Sequence, residues 1–327
     1  MDIHQELQKR EQQFQDYWIK YLPEKQPQIL YQAARHLPLG GGKRLRPFLA
    51  MIACESVGGD GIKTLPFGSA LELLHNFTLV HDDIMDNSDL RRSVPTVHIQ
   101  FSEAAAILAG DLLFTKSFEA MHDLQIECSV FRELNHKLIQ CVLRICEGQQ
   151  LDVDFEQQKI ITEQQYLDMI MRKTAVLFEL SALGGAIIGG ADQQQIHTLT
   201  EYGMNIGYAF QIWDDFLDIS SNTETLGKDI GNDIRNGKKT LIAVHALHHA
   251  QGEHKKILDV NFGNAHATEK DIQQVFTVLE QIGSIEYARS KALEYNIKAK
   301  QLLSMLPQSE AKRLLFDLAD YSIQREK

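Results

Sequence analysis

The interval from Thr96 to Leu306 holds no proline; all seven prolines of the chain lie outside it. Proline breaks helix interiors, so this absence leaves room for many long helices. Period-two alternation is equally scarce, which argues against a β-rich fold, whereas apolar residues recur at three- and four-residue spacings through Tyr166–Leu183 and Leu199–Ile219. The longest strongly apolar run, Ala182–Ala191, is about half the length of a bilayer crossing, and four of its residues are glycine. No transmembrane helix is expected. The amino-terminal stretch MDIHQELQKREQQFQDYW lacks an apolar signal core, so secretion by that route is not expected. Cys54, Cys128, Cys141 and Cys146 form neither a CxxC pair nor a regular framework, and they read as reduced thiols of a cytoplasmic protein. Basic side chains are also in deficit, 33 against 44 acidic, a formal charge of −11. That balance argues against a general nucleic-acid binder. Any polyanionic ligand must be held by a local basic patch or by metal ions.

What remains is an all-α chain of 327 residues with ample apolar material for a core. Turn-like clusters fall at Leu39–Gly42, Val57–Gly61, Asn87–Pro95, Ser220–Gly237 and Asn261–Ala267. None is a linker. Two segments echo one another: HNFTLVHDDIMD, ending at Asp86, and YAFQIWDDFLD, ending at Asp218. Each is an apolar helix closing in a DDxxD cluster. The two would have to meet to share a ligand, so a single domain over residues 1–327, one large helical bundle, is expected.

On a helix, residues i and i+4 project from one face, so Asp82 and Asp86 point together while Asp83 is turned about 100° away. Asp214, Asp215 and Asp218 repeat the pattern. Three carboxylates at a helix carboxyl end oppose the macrodipole and repel one another. Something must neutralise them, and all-oxygen donor sets with room for water and phosphate oxygens suit Mg2+. A solvated acidic helix end is the plainer alternative for either cluster alone.

Three basic patches lie near these clusters. GGGKRLRPF carries Lys43, Arg44 and Arg46, and it is not a Walker A loop because Arg44 stands where Ser or Thr would be needed. Arg91 and Arg92 follow the first cluster. GKDIGNDIRNGKKT carries Lys228, Arg235, Lys238 and Lys239 beyond the second. Each patch alone reads as solvated surface. Together, beside Mg2+-type carboxylates, they have the parts for a diphosphate, bound by Arg forks, Lys point charges and metal.

GGKRLRP, LELLHNFTLVHDDIMDNSDLRR, EGQQLD, RKTAVLF, FQIWDDFLD and GKDIGNDIRNGKKT run in order through almost the whole chain. In this the chain resembles the trans-isoprenyl diphosphate synthases, the polyprenyl synthetase family of farnesyl and geranylgeranyl diphosphate synthases. The resemblance implies a bundle of the isoprenoid synthase type with a central cavity, a homodimer, and three Mg2+ ions per site. It implies ionisation of an allylic diphosphate (dimethylallyl, geranyl or farnesyl), alkylation of isopentenyl diphosphate by the cation, and loss of a proton to the departing diphosphate. Carried over by motif position, Asp82 and Asp86, with Asp83 in the same cluster, serve two ions. Asp214 holds the third, with Asp215 and Asp218 acting through water. Arg91, Lys173, Lys228 and Lys238 bind the allylic diphosphate, Lys239 being the alternative to Lys238. Lys43, Arg46, His75 and Arg92 bind isopentenyl diphosphate, with Arg325 closing over it; a core role is the plainer reading of His75. The backbone carbonyls of Lys173 and Thr174, with the Gln211 side chain, face the carbocation.

Phe77 lies five residues before Asp82, about 7.5 Å down the helix axis, with Thr78 beside it. A large ring there stops chain growth early, and the family uses this position as a chain-length ruler. With an uninserted DDIMD, the pattern resembles the archaeal geranylgeranyl type. A twenty-carbon product is expected, with fifteen carbons as the alternative. Phe101, Phe114 and Phe118 are candidates for a deeper floor, in an order the sequence leaves open. A terpene cyclase would need only one diphosphate site, and a non-catalytic partner subunit should have lost aspartates or key cations. The histidines at 245, 248, 249 and 254 read as a partly exposed helix face, and the glycine pairs at 184, 185, 189 and 190 as close helix packing.

Overall fold

A computed structural model describes residues 3–220 and 233–324. The chain is all-α: among the described residues the only strands are the two-residue β1 (Leu90–Arg91) and β2 (Val94–Pro95). Two compact units are formed. One takes the chain up to His136 with Ser181–Leu199 and Leu306–Leu315; the other takes Lys137–Leu180, Thr200–Met305 and the chain from Phe316.

In the first unit, α1 (Ile3–Trp18), α2 (Gln28–Leu39) and α3 (Leu45–Ser56) precede the central α4 (Leu65–Met85). From Leu65 to Asn76 every α4 residue except His75 is buried. Apolar side chains on all faces require neighbours on all faces. After α5 (Val97–Gln100), α6 (Glu103–Met121) covers α4 with a strip of mostly small residues, Ala106, Ala109, Gly110, Leu113, Ser117 and Ala120. Gly110 makes room for the His81 ring, which a Cβ there would strike. Gly184 lies under the Phe67 ring and Gly185 against the Ala50 backbone, so these glycines serve close packing.

The second unit contains most of α7 (Cys128–Glu156), then α8 (Glu163–Ile170), a π-turn at Met171–Ala175, and parts of α9 (Val176–Ile188) and α10 (Gln193–Ser220). Helices α11 (Leu241–His249), α12 (Gly252–Asn261), α13 (Glu269–Gln281) and α14 (Ser284–Leu302) follow, and α15 (Glu310–Gln324) ends the described chain. A capping box of Thr162 and Gln165 fixes the start of α8. The wide π-turn needs space on both flanks. Gly148 of α7 lies against the Lys173 backbone and Gly207 of α10 against Ala175, and a Cβ at either would overlap it. A π-turn replaces i+4 bonding by i+5, here Val176 N–H to Met171 O, and such turns recur at functional sites. His245 of α11 stacks on His249 and on Tyr287, with ring centroids 4.1 and 4.2 Å apart, and shares a hydrogen bond with Ser284.

Candidate active site

The first acidic cluster separates as helical geometry requires. Asp82 is half-buried and Asp86 exposed on the α4 end, whereas Asp83 is fully buried. Its Oδ1 accepts from Arg91 Nε at 2.6 Å. Burial pushes the Asp83 carboxyl up, against the opposing pull of Arg91. Asp83 therefore anchors the β1–β2 hairpin to α4, and Arg91 is committed to it through that bond.

The hairpin turn holds Arg92 and Ser93 at φ 53° and 63°, both left-handed without glycine, a strained arrangement of about 1 kcal/mol or more per residue. Its effect is to lay the Arg92 guanidinium over the glycine loop after α2. Arg92 donates to the Gly41 carbonyl, and its terminal nitrogens lie 2.9 Å from where a Cβ on Gly42 would stand. Gly42 has φ 138°, so glycine is needed for conformation and for room. In the next residues the cations divide. Arg44 is buried and donates to Glu72 and to the Pro38 carbonyl, each at 2.5 Å. Lys43 is exposed and Arg46 half-buried. The His75 imidazole is held well below its ordinary pKa by burial, then by Arg46, Arg92, Arg91 and Arg44. It is neutral at pH 7, within a cluster of four guanidiniums.

Phe77 stands one helical turn from His81, rings 4.9 Å apart, and meets Phe114 of α6 at 5.2 Å; Phe114 meets Phe118 at 5.2 Å. Thr78 donates to the His75 carbonyl. Phe101 is not part of this ladder but packs edge-on against His36 at 5.8 Å.

In the second unit the middle aspartate is again the inner one. Asp215 is buried, while Asp214 and Asp218 are half-buried. Asp215 Oδ2 accepts from the Tyr166 hydroxyl at 2.8 Å and Oδ1 from Gln211 Nε2 at 3.0 Å. Burial pushes its pKa up to about 7, with the Tyr166 and Gln211 hydrogen bonds pulling the other way. Thr174 Oγ1 donates to Gln211 Oε1 at 2.9 Å. Lys173 meets Asp152 of α7 at 2.5 Å. Burial would raise the Asp152 pKa, but Lys173 and Lys238 outweigh it and hold the carboxyl down. These groups line a cavity of about 50 Å³.

Lys238 and Lys239 differ. Lys239 is buried, donates to the Gly237 carbonyl at 2.6 Å and lies 5.2 Å above the Phe262 ring. Lys238 is half-buried on the cavity and acts electrostatically on Asp152 and Asp215. Lys228 and Arg325 lie outside the described residues. Sequence reasoning did not assign Asp152 or Tyr166. Asp152 closes the EGQQLD segment, a signal that was there to use; Tyr166 shows only helical apolar spacing.

Among the described residues no three His, Cys, Asp or Glu side chains converge into a protein-only metal cage. The donor chemistry still fits a hard divalent ion that takes one or two carboxylates and completes its shell with water and phosphate oxygens, as Mg2+ does.

Two DDxxD helix ends, each accompanied in its own unit by clustered cations, on an all-α scaffold define the class of diphosphate-handling helical synthases. A family model described as Polyprenyl synthetase matches residues 27–279. The chain is 43% identical over 305 residues to the geranylgeranyl diphosphate synthase of Methanosarcina mazei, covering 93% of this chain and 92% of that protein. It is 39% identical over 320 residues to the geranylfarnesyl diphosphate synthase of Natronomonas pharaonis, covering 93% and 92%. The crystal structure of geranylgeranyl pyrophosphate synthetase from Pyrococcus horikoshii Ot3 superposes with a TM-score of 0.94 at 40% identity, over 99% of this chain and 98% of that one. The chain belongs to the polyprenyl synthetase family, the trans-isoprenyl diphosphate synthases.

Proposed function

We propose that the protein is a short-chain trans-prenyltransferase that condenses isopentenyl diphosphate with allylic diphosphates, with geranylgeranyl diphosphate as its main product. The observation that carries this reading is the outward i,i+4 aspartate pair in each unit, accompanied there by clustered cations in a chain of net charge −11. Asp82 and Asp86 in one cluster, and Asp214 with Asp218 in the other, are the side chains that would hold Mg2+. Bound there, Mg2+ supplies charge neutralisation that makes diphosphate a leaving group. Asp83 and Asp215 act as inner anchors; the Asp215 carboxylate is buried and holds Tyr166 and Gln211, and its contact with an ion is proposed to run through water.

Lys173 and Lys238 bind the allylic diphosphate. Asp152 keeps the two ammonium groups from repelling one another before substrate arrives. Arg91 aids the same substrate while tied to Asp83. Lys43, Arg46 and Arg92, around a neutral His75, bind isopentenyl diphosphate. The Lys173 and Thr174 carbonyls of the π-turn, with the Gln211 oxygen, are the acceptors that would face the carbon that becomes positive. That is preorganised negative dipole for developing cationic charge. Phe77 limits product length. The sequence is proposed to act as one synthase domain, cytoplasmic, and as a homodimer. Exposed Ile139, Leu143, Cys146 and Val153 recur at coiled-coil spacing along α7 and give a second copy an apolar face to cover. No described helix is long and apolar enough to cross a membrane.

The test is incubation of the purified protein with isopentenyl diphosphate, each allylic primer and Mg2+, followed by dephosphorylation and sizing of the alcohols. Twenty-carbon geranylgeraniol is expected. A cyclic hydrocarbon, or no elongation with any primer, would refute the reading.

A further inference from the structure

Tyr166 is fully buried, lies outside both acidic motifs, and yet donates its hydroxyl to Asp215 at 2.8 Å. From there an unbroken chain of hydrogen bonds runs through Gln211 to Thr174, at 3.0 and 2.9 Å. The direction of this chain is fixed by chemistry. An ionised carboxylate only accepts, so Asp215 in that form takes the amide N–H of Gln211 and leaves the amide oxygen on the other side. The Thr174 hydroxyl, which can donate or accept, matches that orientation by donating to the oxygen. All four residues line the same small cavity, beside Lys173. A free glutamine amide could turn over at little cost and present N–H, the positive end of its dipole, in place of the oxygen. Gln211 cannot do so while Asp215 is held, and Asp215 is held at its second oxygen by the Tyr166 hydroxyl.

We propose that Tyr166 is a positioning residue of the transfer step: by clamping Asp215 it locks the Gln211 amide with its oxygen toward the cavity, where positive charge develops on the allylic substrate. The role rests on the prenyltransferase reading above. It requires no proton transfer by Tyr166, whose hydroxyl burial pushes well above its ordinary pKa. The locked amide distinguishes substrates by charge, not by shape. It favours a cation at the reacting carbon and is indifferent to a neutral group of the same size.

Binding therefore supplies the decisive measurement. Two probes are compared on the full-length protein with Mg2+: 2-(dimethylamino)ethyl diphosphate, whose protonated nitrogen replaces the branched carbon of the dimethylallyl group, and dimethylallyl S-thiolodiphosphate, which is neutral there. Tyr166→Phe should weaken the charged probe about tenfold and leave the neutral probe within about twofold. In steady state it should lower kcat by a similar factor, with KM for isopentenyl diphosphate unchanged. The loss should vanish in a Gln211→Leu background, where no amide remains to orient. Equal weakening of both probes, or an undiminished Tyr166→Phe effect in that background, would overturn the proposal and leave Tyr166 as packing. Should Tyr166→Phe not yield folded protein, Tyr166→His, which keeps a ring N–H to donate to Asp215, is compared with Tyr166→Leu, which has none: the charged probe should be weakened in the second variant alone, and equal binding by both would overturn the proposal. If the unmodified protein elongates no primer, the function reading fails; if it elongates and the probes do not separate, only the role of Tyr166 fails.

Discussion

Removing the Phe77 ring should lengthen the product by one isoprene unit, and the structure sets the step. Phe77, Phe114 and Phe118 form a ladder with centroid spacings of 5.2 and 5.2 Å. An isoprene unit spans about 5 Å, close to the ~5.4 Å pitch of a helix. Each ring removed in order thus frees room for one unit. Phe77→Ala should move the main product from twenty to twenty-five carbons, and Phe77→Ala with Phe114→Ala to thirty. Phe101→Ala is the control, because that ring packs on His36. A fully buried Phe→Ala change costs about 3–5 kcal/mol, but Phe77 is only half-buried. A loss of about 2 kcal/mol is expected, lowering Tm by about 4 °C, within the margin of a stable domain. The assay is chromatography of the dephosphorylated alcohols at a fixed primer ratio. An unchanged product in Phe77→Ala, or equal lengthening in Phe101→Ala, would refute the ladder.

Two further outcomes follow from charge placement. Lys238→Ala should reduce kcat/KM for the allylic diphosphate by roughly 10- to 100-fold, whereas Lys239→Met should keep kcat/KM within about threefold and lower stability by about 1–2 kcal/mol; the reverse pattern in steady-state kinetics and thermal melts would exchange their roles. His75 should remain neutral as pH falls past 6.5, its ordinary pKa, because the folded value is depressed. The unfolded chain then binds the proton first, so this contribution to stability is present above about pH 6.5 and is lost below it. The His75 ring resonances should hold their neutral positions at pH 6; a midpoint at or above 6.5 would refute the arginine cluster.

Much of this was legible in the sequence, and the part that was not has a common cause. Helical periodicity, the missing prolines and the i,i+4 spacing of the aspartates are local, and all of them produce the elements seen. Which cation is structural is not local. Arg44 and Arg46 differ by two positions, yet one turns to Glu72 across 28 residues and is buried with it. Lys238 and Lys239 are adjacent, and a glycine at φ 69° just before them turns one over the Phe262 ring. The order of the phenylalanines likewise depends on where α6 crosses α4. Asp152 and Tyr166 find their partners 21 and 49 residues away.

The two acidic motifs repeat one physical solution. A helix end with three carboxylates would fray under its own charge, and the roughly 100° rotation of the second aspartate from the first removes it from that crowd. Asp83 and Asp215 are each turned into the interior, but the interior answers them differently. Asp83 meets a guanidinium, which cancels its charge and ties down a strained hairpin carrying Arg92. Asp215 meets a phenol and an amide, neutral donors that satisfy it without cancelling it. A neutralised carboxylate can only hold structure. An uncancelled one also keeps its negative field in the cavity it lines, beside Lys173 and Lys238. The same motif position therefore braces a loop in one unit and orients a dipole in the other, and the difference comes from the partner supplied elsewhere in the chain.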